Sequence, residues 1–271
     1  MLELAHCESV KDVSALAGCA ALHTLSLEVC PGVTDVSGLA SCAMLQTLKI
    51  TFWEGVTDVS ALGSCAALCT LDLNGTEAVT DVTALAGCTM LHTLTLRQCE
   101  GVTDLSGLAS FETLHTLDLS AIDGLTDVSA LAGCAVLHTL NLSQSSVTDL
   151  SLAGCATLHT LELQQCISLT DLSGLIGCPA LHTLDLAECD SVADLSPLAG
   201  CAKLHTLYLA SCYEVTEVSG WRTALPCIRS CLGRLEWRTF RRGRAARRCT
   251  RSISRTACSE TTGVSFWDAW A

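Results

Sequence analysis

The first 220 residues of this 271-residue chain hold only four basic side chains, Lys11, Lys49, Arg97 and Lys203, and aromatic residues make up 4% of the whole. So little positive charge leaves no electrostatic attraction for a phosphate backbone. No run approaches the roughly 20 uninterrupted apolar residues of a membrane helix, and no basic segment followed by an apolar one opens the chain as a secretion signal does. The expectation is a soluble protein that binds neither nucleic acid nor membrane. What the chain has in quantity is leucine, valine and alanine at even spacing, together with 19 cysteines. A repeat is to be sought before domains are counted.

Leu22, Leu45, Leu68, Leu91, Leu114, Leu137, Leu158, Leu181 and Leu204 each open a similar segment, 23 residues apart except for 21 after Leu137. One unit reads LHTLDLxxCxxVTDVSxLAGCAA. Alternation in Thr93-Leu94-Thr95-Leu96 or Thr183-Leu184-Asp185-Leu186 predicts a short strand with one face buried. Such strands stack in parallel about 4.8 Å apart. The following V/L-T-D-V/L-S carries an aspartate able to accept from backbone N–H groups and start a short helical turn. Asp35, Asp58, Asp81, Asp104, Asp127, Asp149, Asp171 and Asp194 are expected in that capping role. A calcium ladder is disfavoured, because the Gly-Gly-x-Gly-x-Asp signature of calcium-binding β-helices is missing. Leu2-Glu3-Leu4 falls in mid-unit, so the array is expected to be a piece of a longer one.

The run L-x-x-L-x-L-x-x-C resembles the leucine-rich-repeat family over residues 1–220. Its V/L-T-D-V/L-S-x-L-A stretch is similar to the convex segment of internalin-type repeats. The L-x-L-x-x-C-x-x-V-T-D run is similar to the cysteine-containing repeats of F-box proteins. The 23-residue mixture most resembles repeat proteins of kinetoplastid protists, although such arrays also occur in other eukaryotic microbes and in bacteria. The resemblance implies an α/β solenoid, a horseshoe with a parallel concave β-sheet and short helical turns on the convex side.

Fourteen of the fifteen cysteines in residues 1–220 fall into two columns. Cys7, Cys30, Cys99, Cys166, Cys189 and Cys212 take position 9 of the unit, where the family uses Asn or Cys to bond neighbouring backbone. Cys19, Cys42, Cys65, Cys88, Cys134, Cys155, Cys178 and Cys201 take position 21, where a small apolar side chain closes the core. Paired zinc knuckles are missing and the count is odd, so reduced, buried, structural thiols are expected, and with them a cytoplasmic or nuclear setting. His23, His92, His115, His138, His159, His182 and His205 recur at position 2, with Gln46 and Cys69 in the same slot elsewhere. They read as an edge position copied by duplication rather than as a metal rim. Every Ser, His or Asp is one copy among many, so no catalytic residue, metal site or cofactor is expected.

Recognition is expected on the outward positions of the concave strands. Position 3 is Thr in every full unit. Position 5 varies through Ser26, Lys49, Asp72, Thr95, Asp118, Asn141, Glu162, Asp185 and Tyr208. The residues from Lys49 to Tyr208 are the candidate partner-binding face, and their acidity favours a basic or polar protein. Trp53 stands either as an interface anchor beside Phe52 or as an oversized substitute in the position-9 column.

After Gly220 the leucine period ends, and eleven arginines against Glu236, Glu260 and Asp268 give 221–271 a charge of +8, whereas 1–220 carries −21. Read from the third base of each codon, Gly220 to Ser230 permits L-A-x-C-A-A-L-H-T-L and Leu235 to Ser252 permits G-V-A-D-V-S-A-x-A-G-C-A-A-L-H-T-L. A lost base near Gly220 accounts for the arginines better than a nucleic-acid-binding arm does, and it predicts a tail without a core of its own. Such a tail would leave the last coil poorly capped in what is otherwise expected to be a monomer. The functional expectation is a protein-interaction scaffold. The alternatives are the recognition part of a larger enzyme such as a ubiquitin-ligase subunit, or a surface antigen.

Overall fold

Each Thr-Leu-x segment forms a strand because its odd positions face outward while the intervening leucine is sealed in the core. The computed structural model describes residues 1–216 apart from Glu8 and Glu54. The arginine-rich segment 221–271, and with it the frame-shift reading, lies outside the described residues. Ten strands run along the described chain: β1 (Leu2–Ala5), β2 (Thr24–Glu28), β3 (Thr47–Thr51), β4 (Thr70–Asp72), β5 (Thr93–Thr95), β6 (Thr116–Asp118), β7 (Thr139–Asn141), β8 (Thr160–Glu162), β9 (Thr183–Asp185) and β10 (Thr206–Tyr208). They pair in parallel in chain order as one sheet. The register sets equivalent positions side by side, as in Leu48↔Leu71 and Leu140↔Leu161.

The inward positions 1, 4, 6, 9, 12, 15, 18 and 21 of successive coils make one continuous core. In the coil opened by Leu45 these are Leu45, Leu48, Ile50, Trp53, Val56, Val59, Leu62 and Cys65, each fully buried. A core of this kind grows by nearest-neighbour contact along one axis. In the first described coil Leu2 and Leu4 have a neighbour on one side and are half-buried.

The convex side is built from five-residue 3-10 helices such as Ser37–Ser41 and Ser129–Gly133. The aspartate column starts them. Asp35 Oδ1 accepts the Ser37 N–H at 2.7 Å, and Asp12, Asp58, Asp81, Asp104, Asp127, Asp171 and Asp194 repeat the bond at 2.6–2.8 Å. Asp149 departs from the expectation. The unit opened by Leu137 is two residues short, its chain from Asp149 to Gly154 forms no 3-10 helix, and Asp149 accepts only side-chain hydroxyls, that of Ser151 at 3.2 Å among them.

The short coil brings its neighbours close. A Cβ on Gly174 would fall on the Leu150 carbonyl, and one on Gly154 would fall on the Ala132 carbonyl, whereas one on Gly18 would meet nothing within 4 Å. Gly174→Ala is therefore expected to destabilise the array by about 1–3 kcal/mol, the usual range for overpacking. Gly18→Ala should be neutral or slightly stabilising. Paired urea titrations check this, and equal midpoints for the two variants would contradict the close approach.

Both cysteine columns do more than fill space. Position-9 thiols donate to the position-6 carbonyl of the preceding coil, as in Cys99 Sγ to Leu73 O at 3.0 Å and Cys212 Sγ to Leu186 O at 2.8 Å. Position-21 thiols, expected only as small apolar groups, also donate, as in Cys88 to Leu62 O and Cys155 to Leu131 O, both at 3.1 Å. Burial pushes the thiols of Cys88, Cys155 and Cys189 up to about 12. It pushes Cys134, Cys178, Cys201 and Cys212 up to about 11. Thiols so far from ionisation make poor nucleophiles and poor metal ligands. Trp53 takes the position-9 slot, fully buried with its indole N–H unpartnered. The anchor reading of Trp53 is thereby overturned, while Phe52 beside it is half exposed.

Candidate functional site

Position 5 lines the concave sheet, and the parallel register sets Lys49 beside Asp72, Asp72 beside Thr95, Thr95 beside Asp118, Asp118 beside Asn141, Asn141 beside Glu162, and Glu162 beside Asp185. Tyr208 closes the row beside Asp185. Lys49, Glu162 and Tyr208 are exposed, whereas Asp72, Thr95, Asp118, Asn141 and Asp185 are half-buried.

Four of these side chains also serve the backbone, a role that their place in the repeat does not announce. Asp72 Oδ1 accepts the Asn74 N–H at 3.0 Å, Asp118 that of Ser120 at 2.9 Å, Asn141 that of Ser143 at 2.9 Å and Asp185 that of Ala187 at 2.8 Å. The bond runs two residues onward and turns the chain out of the strand. In each of these four coils the strand ends at position 5, as it also does in β5, β8 and β10 without such a bond, whereas β2 and β3, with Ser26 and Lys49 there, run two residues further. One carboxylate oxygen of each aspartate stays available to a partner. Glu162 makes no such bond. Loss of surrounding water, and then the charges of Asp118 and Asp185, raise its carboxyl above the ordinary value. The concave face thus gathers negative charge that an incoming cation relieves.

The histidine column borders the same sheet on the side where the strands begin. His138, His159, His182 and His205 stack with ring centroids 4.8, 4.7 and 4.9 Å apart and planes within 11° of parallel. His92 and His115 are tilted at 5.7 Å. The face-to-face ladder is a property of the fold, because repeat period alone does not reveal ring orientation. Ring lone pairs lie in the ring plane, so stacked imidazoles aim alongside one another and do not converge on an ion. Among the described residues no three His, Cys, Asp or Glu side chains are grouped to hold a metal. Desolvation, and then His138 and His182, hold the His159 imidazole below its ordinary range.

On the opposite border, position 8 adopts a left-handed backbone in every described coil from His6 to Ser211, with φ between 51° and 70°. Only Gly75 among them is a glycine. Position 8 still extends the ladder, as where the Gln144 N–H donates to Gln164 O at 2.8 Å. Its side chains are thereby turned outward. Gln144 Nε2 donates to Gln165 Oε1 at 2.6 Å, and Gln165 Nε2 donates to Glu188 Oε2 at 2.8 Å. No sequence pattern pointed to this rim. Its only trace is the recurrence of Gln144, Gln165 and Glu188 at one position of three consecutive units.

With this geometry in view, the chain matches a family model for the leucine-rich-repeat domain of the endo-beta-N-acetylglucosaminidase EndoS over residues 92–189. No curated protein matches its sequence. Among solved structures it is similar to an internalin, inlF, from Listeria monocytogenes, with a TM-score of 0.62 and 22% identity over 76% of this chain and 70% of that one. An internalin C2, inlC2, from the same organism gives a TM-score of 0.57 and 29% identity over 66% of this chain and 76% of that one. TLR13 in complex with ssRNA13 gives 0.62 and 23% identity over 74% of this chain and 31% of that one.

Proposed function

For this leucine-rich-repeat protein, we propose a non-catalytic scaffold role in which the concave sheet binds a basic or polar protein partner. The observation that supports it is the row from Asp72 to Asp185, four acids interspersed with Thr95 and Asn141, in which loss of water and then the charges of Asp118 and Asp185 raise Glu162. A cation approaching this row gains from several carboxylates at once. The same reading places the protein in the cytoplasm or nucleus. Twelve buried thiols, all free and hydrogen-bonded, support that setting, since an oxidising compartment favours cysteines paired in disulfides.

Asn141 provides a conservative test. It accepts the backbone bond at 2.9 Å that the aspartates accept, so Asp→Asn removes charge and keeps the turn. Panning a displayed library of random 16-residue peptides on the whole chain is expected to enrich Lys- and Arg-bearing sequences. These should bind the combined Asp118→Asn, Glu162→Gln and Asp185→Asn variant roughly tenfold or more weakly, in the range set by close charge pairs. They should keep their affinity for a variant with serine at the exposed Met44, Met90 and Ile176. Enrichment of acidic peptides, or unchanged binding to the triple variant, contradicts the proposal.

One observation favours a second reading, that the array is the recognition part of a larger enzyme. The family model matching 92–189 describes a repeat domain of an endoglycosidase. A gene sequence extending beyond both ends of the array tests it: an adjoining catalytic domain supports this reading, and an array flanked only by further repeats opposes it.

A further inference from the structure

We propose that the rim just past the strand ends is a second docking surface, shaped for an extended basic segment of a protein partner. The inference rests on the scaffold reading and adds where, and for what sequence, an extended chain is held.

A shallow trough of about 600 Å³ runs across the coils from Ala121 to Ser211. Its inner bank is position 8, where the Gln144–Gln165–Glu188 ladder fixes three side chains in line. Its outer bank is position 10, which reads Asp123, Ser146, Ile167, Asp190 and Tyr213 on successive coils. Ile167 is 64% exposed and Tyr213 is 53% exposed, with no described neighbour covering either. The lining includes Asp123, Glu188 and Asp190 and contains no lysine or arginine.

The spacing selects the occupant. Four coil-to-coil steps of about 4.8 Å make the trough roughly 19 Å long, which accommodates about six residues of extended chain at 3.3 Å each. Asp123 and Asp190 stand three coils apart, roughly 14 Å, the distance between residues four apart in such a chain. Residues four apart share a face of an extended segment. Ile167 lies between the two aspartates, and Tyr213 lies beyond the second. The matching sequence has two basic residues four apart, an apolar residue between them and another after the second. The one remaining amide hydrogen of Gln144 and the free carboxylate oxygen of Glu188 are left to meet its backbone and the second basic head group.

The test uses the full chain and a fluorescein-labelled ten-residue peptide with arginines four apart around a leucine, followed by a second leucine. A scrambled peptide with its arginines adjacent serves as the comparison. Fluorescence anisotropy is expected to show roughly tenfold weaker binding of the patterned peptide to the Glu188→Gln, Asp190→Asn double variant and to Tyr213→Ala. The concave Asp118→Asn, Glu162→Gln, Asp185→Asn variant should stay within about threefold of the parent, and the scrambled peptide should bind the parent roughly tenfold less tightly. Loss of binding in the concave variant but not in the rim variants overturns this inference and leaves the scaffold reading standing. Equal affinity for both peptides, or no binding by either, also overturns it.

Discussion

Leu161→Ala in β8 is expected to lower the unfolding free energy by about 3–4 kcal/mol, within the range for buried leucine truncations. Leu161 is fully buried and sits in register between Leu140 and Leu184. No side chain can move in from above or below without breaking that register, so the cavity stays open. Its position matters as much as its volume, because it adjoins the coil that lacks two residues and a 3-10 helix. Coils on either side are coupled only through neighbours. A loss of this size at the weakest junction is expected to split one urea transition into two, the N-terminal block outlasting the C-terminal one. Leu2→Ala, on a half-buried residue of the first described coil, should cost about 1 kcal/mol or less and leave the transition single. Urea titration followed by circular dichroism distinguishes the two outcomes. Coincident, barely shifted curves for Leu161→Ala would show that the core is not closed as described.

The second large effect is on acid stability, in two steps. His159 is held below its ordinary 6.5, so the unfolded chain binds more protons there than the folded one. The stability it contributes is fully present above about pH 6.5 and is lost as pH falls through the folded value. His159 is stacked 4.8 Å from His138 and 4.7 Å from His182, so positive charge on either neighbour opposes its own protonation. Each adjacent charged pair repels by about 1 kcal/mol in water-like surroundings. A fall in Tm on the order of 5 °C between pH 7.5 and 5 is expected. His159→Gln should remove most of it, since Gln46 already occupies the same position of the unit. The second step lies lower. Asp12, Asp58, Asp81 and Asp127 are held below 3.8 mainly by their bonds to the residue two places on. Their contribution is present above that value and is lost as pH falls through the lowered one. Glu162 acts in the opposite sense: raised above 4.5, it favours the folded state below that value and loses the advantage as pH rises. Calorimetry from pH 8 to 3 reads all three. A Tm constant from pH 8 to 5, or an undiminished fall in His159→Gln, contradicts the ladder account.

Most of the architecture was legible because the repeat writes each structural rule many times. Period 2 in Thr-Leu-x-Leu gave the strands, the 23-residue spacing gave the register, and the aspartate column gave the helix starts. The repeat does not write the positions where one residue serves two neighbours at once. Position-21 cysteines looked apolar because the carbonyl they reach belongs to the preceding coil, 24 or 26 residues back. Asp118 and Asp185 looked like free surface charges, although a carboxylate two residues before an exposed N–H is a familiar turn former. Trp53 could be placed only once its coil was seen to enclose it. The rim at Gln144, Gln165 and Glu188 depends on a left-handed backbone at non-glycine residues, and side-chain identity does not announce that.

The central claim is that the concave carboxylates meet a partner, and carboxyl footprinting tests it most directly. The chain is labelled with a carbodiimide and an amine, alone and with the tightest basic peptide from the displayed library, and each carboxylate is read by mass spectrometry. The account predicts that Asp118, Glu162 and Asp185 lose labelling in the complex while Asp35, Asp58 and Asp104, at the starts of the 3-10 helices, label as before. Protection of that convex column, or unchanged labelling of the concave row, would contradict it.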